Sequence, residues 1–193
     1  AYVEKGSYRG TGGGVDYTAG GINDLGALHD KLTASGFDQY FRYTATLDDL
    51  SVDRNVQMFG TEISIAAEQG NLEFKGTAVA PDINLFGHTL DFEGYLWATR
   101  SQFQEASIDL GSTKELRVGE DGLILLSISR DPVRYEEGFS LATGKIKLAS
   151  AEGYIEHSGT IVNPGGEVTF NAPTDVGRIT LSPESTIDVS GNW

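Results

Sequence analysis

Short runs in which two apolar residues flank a single residue recur along the chain, most often every 7 to 13 positions, bounded by Gly, Asn, Asp or Pro. They are Val15-x-Tyr17, Leu50-x-Val52, Ile63-x-Ile65, Leu72-x-Phe74, Ile83-x-Leu85, Leu90-x-Phe92, Ile108-x-Leu110, Leu116-x-Val118, Ile146-x-Leu148, Val168-x-Phe170, Ile179-x-Leu181 and Ile187-x-Val189. Alternate side chains of a strand point to opposite faces, so each run predicts a very short β-strand with one buried face. Two stretches break the rhythm. Between Asn23 and Ser35, Leu25, Leu28 and Leu32 fall on one helical face, with Asn23 or Asp24 at the N-cap and Gly36 beyond the end, which predicts one short helix. Ser127 to Phe139 holds Asp131-Pro132 and a cluster of charges, which predicts a loop leaving the regular structure; a second extruded segment is expected near 23–46.

The runs share punctuation. Gly70-Asn-Leu72-Glu-Phe74-Lys-Gly76-Thr-Ala78 aligns with Gly153-Tyr-Ile155-Glu-His157-Ser-Gly159-Thr-Ile161, and Leu90-Asp-Phe92-Glu-Gly94 repeats the Leu72 unit 18 residues later. A degenerate period near 20 is the size of one coil in a β-solenoid, so the expected fold is all-β, a right-handed parallel β-helix over residues 1–193 with one short helical insertion near 23–35. At that period the chain makes about 8 or 9 coils, and glycine is expected to supply positive φ at the corners. An antiparallel β-sandwich stays open as the alternative, since Asp121-Gly122 sits in a hairpin-like context.

Composition narrows the function classes. The 193 residues include 25 Gly, 5 Pro and no Cys, with 39% hydrophobic and 22% charged residues, which suits a folded chain without disulfides or thiolate chemistry. With 14 Lys+Arg against 28 Asp+Glu, the net charge of −14 disfavours nucleic acid and anionic membrane surfaces as partners. No run approaches the length of a transmembrane helix, and no membrane insertion is expected. The start, Ala1-Tyr2-Val3-Glu4-Lys5, has neither Met nor the pattern of a signal peptide, and reads as the beginning of a piece of a longer precursor.

Candidate chemistry is sparse. Asp48-Asp49 is the tightest acidic pair, but neighbours on a strand diverge, and the Gly-His-Gly and Arg-Ile-Lys elements that accompany such aspartates in β-helix hydrolases do not occur. His29, His88 and His157 show no metal-ligand spacing; His29 is expected on the solvated side of the helix, and His157 in a partly buried strand slot aligned with Phe74. Glu136-Glu137 and Asp48-Asp49 are sites for incidental calcium only, and no phosphate-cradling loop is present. Tyr40, Phe41 and Tyr43 cluster after the helix, while Tyr95 and Trp97 share one face of a strand, either as core filling or as an aromatic platform for sugar rings. No catalytic, cofactor-binding or metal residue is assigned, and no enzyme activity is expected.

The run GTIVNPGGEVTFNAPTDVGRITLSPESTIDVSG, residues 159–191, resembles the filamentous haemagglutinin family of Gram-negative two-partner secretion, with its Gly-x-Ile, Gly-Gly-x-Val-x-Phe, Ala-Pro, Gly-x-Ile-x-Leu and Ser-x-Ile-Asp-Val-Ser-Gly elements in order. The glycine-rich stretch Gly12 to Gly21 and the segment LTASGFDQYFRYTATLDDLSVDRNVQM are similar to coil starts and connectors of these exoproteins. The likeness lapses at residues 99–139. It implies a structural or adhesive shaft segment of a secreted or outer-membrane-associated adhesin, exported through an outer-membrane transporter. It also implies contacts with a receptor or glycan on a host or neighbouring cell. End-to-end self-association is expected of a piece with two uncovered ends, and no cofactor is implied. The alternative is a polysaccharide-binding or polysaccharide-degrading β-helix module.

Overall fold

The computed structural model describes residues 13–100, 105–128, 144–173 and 175–190. Its elements are β1 (Gly13–Ala19), α1 (Leu25–Ala34), β2 (Phe37–Ala45), β3 (Leu50–Val52), β4 (Gln57–Phe59), β5 (Glu62–Ala67), β6 (Leu72–Phe74), β7 (Thr77–Val79), β8 (Asp82–Phe92), β9 (Tyr95–Arg100), β10 (Ser107–Val118), β11 (Leu123–Ile128), β12 (Lys145–Ser150), β13 (Tyr154–His157), β14 (Thr160–Val162), β15 (Glu167–Asn171), β16 (Arg178–Leu181) and β17 (Thr186–Asp188). All twelve apolar runs predicted from the sequence lie in or against a strand.

The strands recur as triplets, and each pairs with its counterpart in the next triplet. β2, β3 and β4 are followed by β5, β6 and β7; β8 and β10 are long enough to serve as first and second members, with β9 and β11 as third. First and second members form an 11-stranded sheet and third members a 6-stranded sheet. Every strand pair among the described residues is parallel, which overturns the antiparallel sandwich. The turn at Asp121-Gly122 joins β10 to β11, which belong to different sheets, so it closes no hairpin.

Register carries side chains of one kind into continuous inward rows. Phe41 stands beside Ile63, then Ile83, Ile108, Ile146 and Val168; a second row runs Leu50, Leu72, Leu90, Leu116, Ile155 and Ile179. A third, in the 6-stranded sheet, runs Met58, Ala78, Leu96, Ile124, Ile161 and Ile187. From Phe41 to Ile161 these residues are at most 2% exposed, so the rows form one core between the sheets. The step of 20 from Ile63 to Ile83 matches the sequence period, but it widens to 25 and then 38 between Ile83, Ile108 and Ile146. The described residues supply β1 and six triplets.

Glycine acts differently from expectation. Among the described residues only Gly36 and Gly165 have positive φ. The corner glycines are required by crowding instead: a Cβ on Gly94 would collide with the Gly76 carbonyl oxygen, and one on Gly159 with that of Gly122. These same carbonyls accept from the next strand, Gly76 from the Tyr95 amide at 2.9 Å and Gly122 from the Thr160 amide at 2.8 Å, so neighbouring backbones approach at each corner with no room for a side chain.

α1 closes one end of the core. Asp24 is the N-cap, its Oδ1 accepting from the Ala27 amide at 2.8 Å, and Gly36 at φ 92 ends the helix as its sequence position suggests. β3 and β4 each pair on one side only, and the helix packs against β2 and β3, covering the flank where a preceding triplet would run. The stretch expected to be extruded near 23–46 is therefore a cap followed by a full strand, β2, inside the 11-stranded sheet. The other expected loop, 127–139, lies outside the described residues apart from its first two, which end β11.

Candidate functional site

The two outer surfaces differ in chemistry. The outer face of the 11-stranded sheet carries charges of both signs. Arg42 donates from Nε and Nη2 to both carboxylate oxygens of Glu62, at 2.7 and 2.8 Å, and Arg117 bridges Glu115 and Glu156 at 3.0 and 3.2 Å. The Arg42 guanidinium draws the Glu62 carboxyl below its ordinary range, whereas desolvation raises Asp91 and Asp109, opposed by Arg117 and Lys147 respectively.

The 6-stranded sheet is uncharged over most of its outer face. Strand alternation buries Met58, Ala78, Leu96, Ile124 and Ile161 and turns the residues between them outward. Register aligns Phe59, Val79, Trp97, Leu125 and Val162 as one outward rail, and Gln57, Thr77, Tyr95, Leu123 and Thr160 as a second. Phe59 is 57% and Trp97 39% exposed. The Tyr95 and Trp97 rings lie 6.5 Å apart at 48°. Trp97 Nε1 donates to Ser127 Oγ at 2.8 Å, and that hydroxyl lies 3.3 Å from Thr99 Oγ1. Thus hydroxyls border the apolar rail on both sides, and one of them pins the indole. No outward position of β4, β7, β9, β11 or β14 from Gln57 to Val162 carries a charge among the described side chains.

Comparison with known protein families, curated proteins and solved structures finds no match.

The other sequence candidates are scattered. Asp48 and Asp49 lie on the turn between β2 and β3 and line a shallow depression with Asn23, Ser51, Asn71 and Glu73; Asp49 Oδ1 accepts from the Asn71 amide at 2.7 Å, and Asp48 packs over Gly21. Phe41 and Tyr43 are core residues, while Tyr40 lies outside beneath the Arg42 guanidinium, 5.0 Å from ring centroid to Cζ. Glu136 and Glu137 lie outside the described residues. No group of three His, Asp or Glu able to hold a metal occurs among the described residues, and no described helix is long and apolar enough to cross a membrane.

His29 is not solvated as expected but 3% exposed, because α1 turns it against Phe41 and Tyr43 rather than outward. Its Nδ1 lies 3.0 Å from the Tyr43 hydroxyl, and its Nε2 3.5 Å from Thr33 Oγ1. Burial lowers its pKa against the opposing pull of Asp30, and burial raises that of the Tyr43 hydroxyl. His157 occupies the row Phe74, Phe92, Val118, His157, Leu181, the slot its alignment with Phe74 predicts. It is fully buried beside Phe170, and neither ring nitrogen has a hydrogen-bond partner among the described residues. Burial lowers its pKa, opposed by the Thr186 backbone.

Proposed function

We propose that this chain is a structural segment of a right-handed parallel β-helix, forming part of the shaft of a filamentous, secreted or surface-attached adhesin. Successive triplets then correspond to coils, with the inward rows as the continuous core of the rod. The observation that carries the reading is the condition of the last triplet. Ile179, Leu181 and Ile187 are 43%, 50% and 36% exposed, yet the residues they stack on, Ile155, His157 and Ile161, are fully buried. A row that is buried at every earlier step and uncovered at its last is a template for a further coil.

At the opposite end α1 packs against β2 and β3 and β1 adds a strand beside β2, so end-to-end association of separate copies is expected at the β15 to β17 edge. The haemagglutinin-like spelling of residues 159–191 coincides with β14 to β17, the coils that lead to this open edge. Export through an outer-membrane transporter accompanies the same reading. Electron microscopy of the parent protein purified from its source tests it directly: a rod is expected, with antibodies against residues 13–190 labelling intact, unpermeabilised cells. A compact globule, or label confined to the cell interior, overturns it.

A further inference from the structure

We propose that the uncharged outer face of the 6-stranded sheet, centred on Tyr95 and Trp97, binds a neutral glycan chain laid along the stack. This goes beyond the shaft reading and does not depend on it, because the face is complete within β4 to β14.

Four observations converge. First, the strip is narrow. Five strands about 4.8 Å apart make it roughly 19 Å long, and two outward residues per strand make it roughly 10 Å wide. Its area, roughly 200 Å², is far below the ~800 Å² per partner of a stable protein interface, but it suits a linear oligomer. Second, its cross-section matches a pyranose, whose ring faces are apolar and whose rim carries hydroxyls. The rail of Phe59, Val79, Trp97, Leu125 and Val162 offers the apolar surface. Thr77, Tyr95 and Thr160 on one side, and Thr99 and Ser127 on the other, offer hydrogen-bonding groups at the rim. Third, the central indole is held in place before any ligand arrives, since Trp97 Nε1 is bonded to Ser127 Oγ at 2.8 Å, so little side-chain entropy is lost on stacking. Fourth, charge selects the class. A chain of net charge −14 repels polyanions, and the strip itself presents no charge to pair with a charged polymer, so a neutral one suits it.

An extended peptide is a poorer occupant. β7, β9, β11 and β14 are each paired on both sides, so a peptide could add a strand only at the β4 edge and not along the strip.

The test uses Trp97 as reporter in the Trp193→Phe chain, since the sequence holds 2 tryptophans. Cellohexaose, mannohexaose and maltohexaose are titrated, with hexagalacturonate as an anionic probe of equal length. At least one neutral hexasaccharide is expected to shift the Trp97 emission saturably, and hexagalacturonate to leave it unchanged. Tyr95→Ala and, independently, Phe59→Ala are expected to weaken binding about tenfold, while Phe86→Ala, an exposed aromatic of the other sheet, has no effect. Thermal melts identify any variant that has lost its fold, and Phe59→Ala, at the end of the strip, serves if Tyr95→Ala fails to fold. The proposal is overturned if no neutral probe shifts the emission up to about 10 mM, if hexagalacturonate binds as well, or if both alanine variants bind like the parent. It is likewise overturned if sedimentation reveals a dimer that Phe59→Ala abolishes, which assigns the strip to a second copy of the chain.

Discussion

The Nδ1 of His29 and the hydroxyl of Tyr43, 3.0 Å apart and both buried, form a polar link between the capping helix and the first full triplet. Removing the hydroxyl with Tyr43→Phe leaves the histidine nitrogen unpaired in an apolar site. The expected loss is about 1 to 3 kcal/mol, seen as a drop in melting temperature of roughly 3 to 10 °C for a chain of this size. Hydrogen exchange should show the loss first in α1 and β2. An unchanged melting temperature would mean that the link carries no stability.

Both buried histidines make the fold sensitive to acid. Their folded pKa values lie below the ordinary 6.5, so the unfolded chain binds protons more readily than the folded one as pH falls. Their contribution is fully present above about pH 6.5 and is lost as pH falls through the lowered folded values. Denaturant titrations between pH 7.5 and 5 should show stability declining with acidity. His157→Phe places a ring of the kind already present at Phe74 and Phe92 in the same row. It should raise stability at neutral pH and flatten the acid decline, leaving the part due to His29. A slope identical to that of the parent would count against His157.

At the corners, Gly94→Ala and Gly159→Ala each place a methyl group against a neighbouring backbone carbonyl that cannot move without breaking its hydrogen bond. Losses of about 1 to 3 kcal/mol are expected from such overpacking. Gly36→Ala has open space around it and suffers only from its φ of 92°, so it should cost about 1 kcal/mol. Equal effects at all three positions would contradict the distinction between crowding and backbone angle.

A single row supplies an internal comparison of closed and open ends. Ile155 and Ile179 are adjacent in it, fully buried and 43% exposed respectively. Ile155→Ala should cost about 2 to 5 kcal/mol, and Ile179→Ala less than half of that. Amide exchange should be correspondingly faster in β16 and β17 than in β6 and β8. The reverse order would show that the last triplet is covered by something other than these strands.

The number of side chains a strand buries accounts for part of what is legible in the sequence, although the buried pairs Phe41/Tyr43 of β2 and Ile124/Leu126 of β11 are not among the twelve runs. Strands of the 11-stranded sheet such as β3, β6 and β15 turn two alternate residues inward and so spell an apolar pair. β4, β7 and β14 turn one residue inward, Met58, Ala78 and Ile161, and leave no pair to find. The outward rail was hidden for a related reason. Phe59, Val79, Leu125 and Val162 come from separate strands, and only register brings them into line, whereas Tyr95 and Trp97 share a strand and stood out at once. His29 was misplaced because Leu25, Leu28 and Leu32 suggested a face that omits it. In the fold, Leu25 and His29, one turn apart, are buried, while Leu28 and Leu32 pack partly buried against the core. The repeat alignment of Gly70 to Ala78 with Gly153 to Ile161 held because corner crowding and inward burial constrain the same positions in each triplet.

The parallel pairing of triplet with triplet also sets how the stack would respond to a pulling force. Its interstrand hydrogen bonds join one triplet to the next, so tension drawn through the two ends of the stack opens the bonds of a single junction before those of its neighbour. Such a body yields stepwise from the uncovered β15 to β17 edge, lengthening by one triplet at a time, rather than resisting to a single high peak and failing at once.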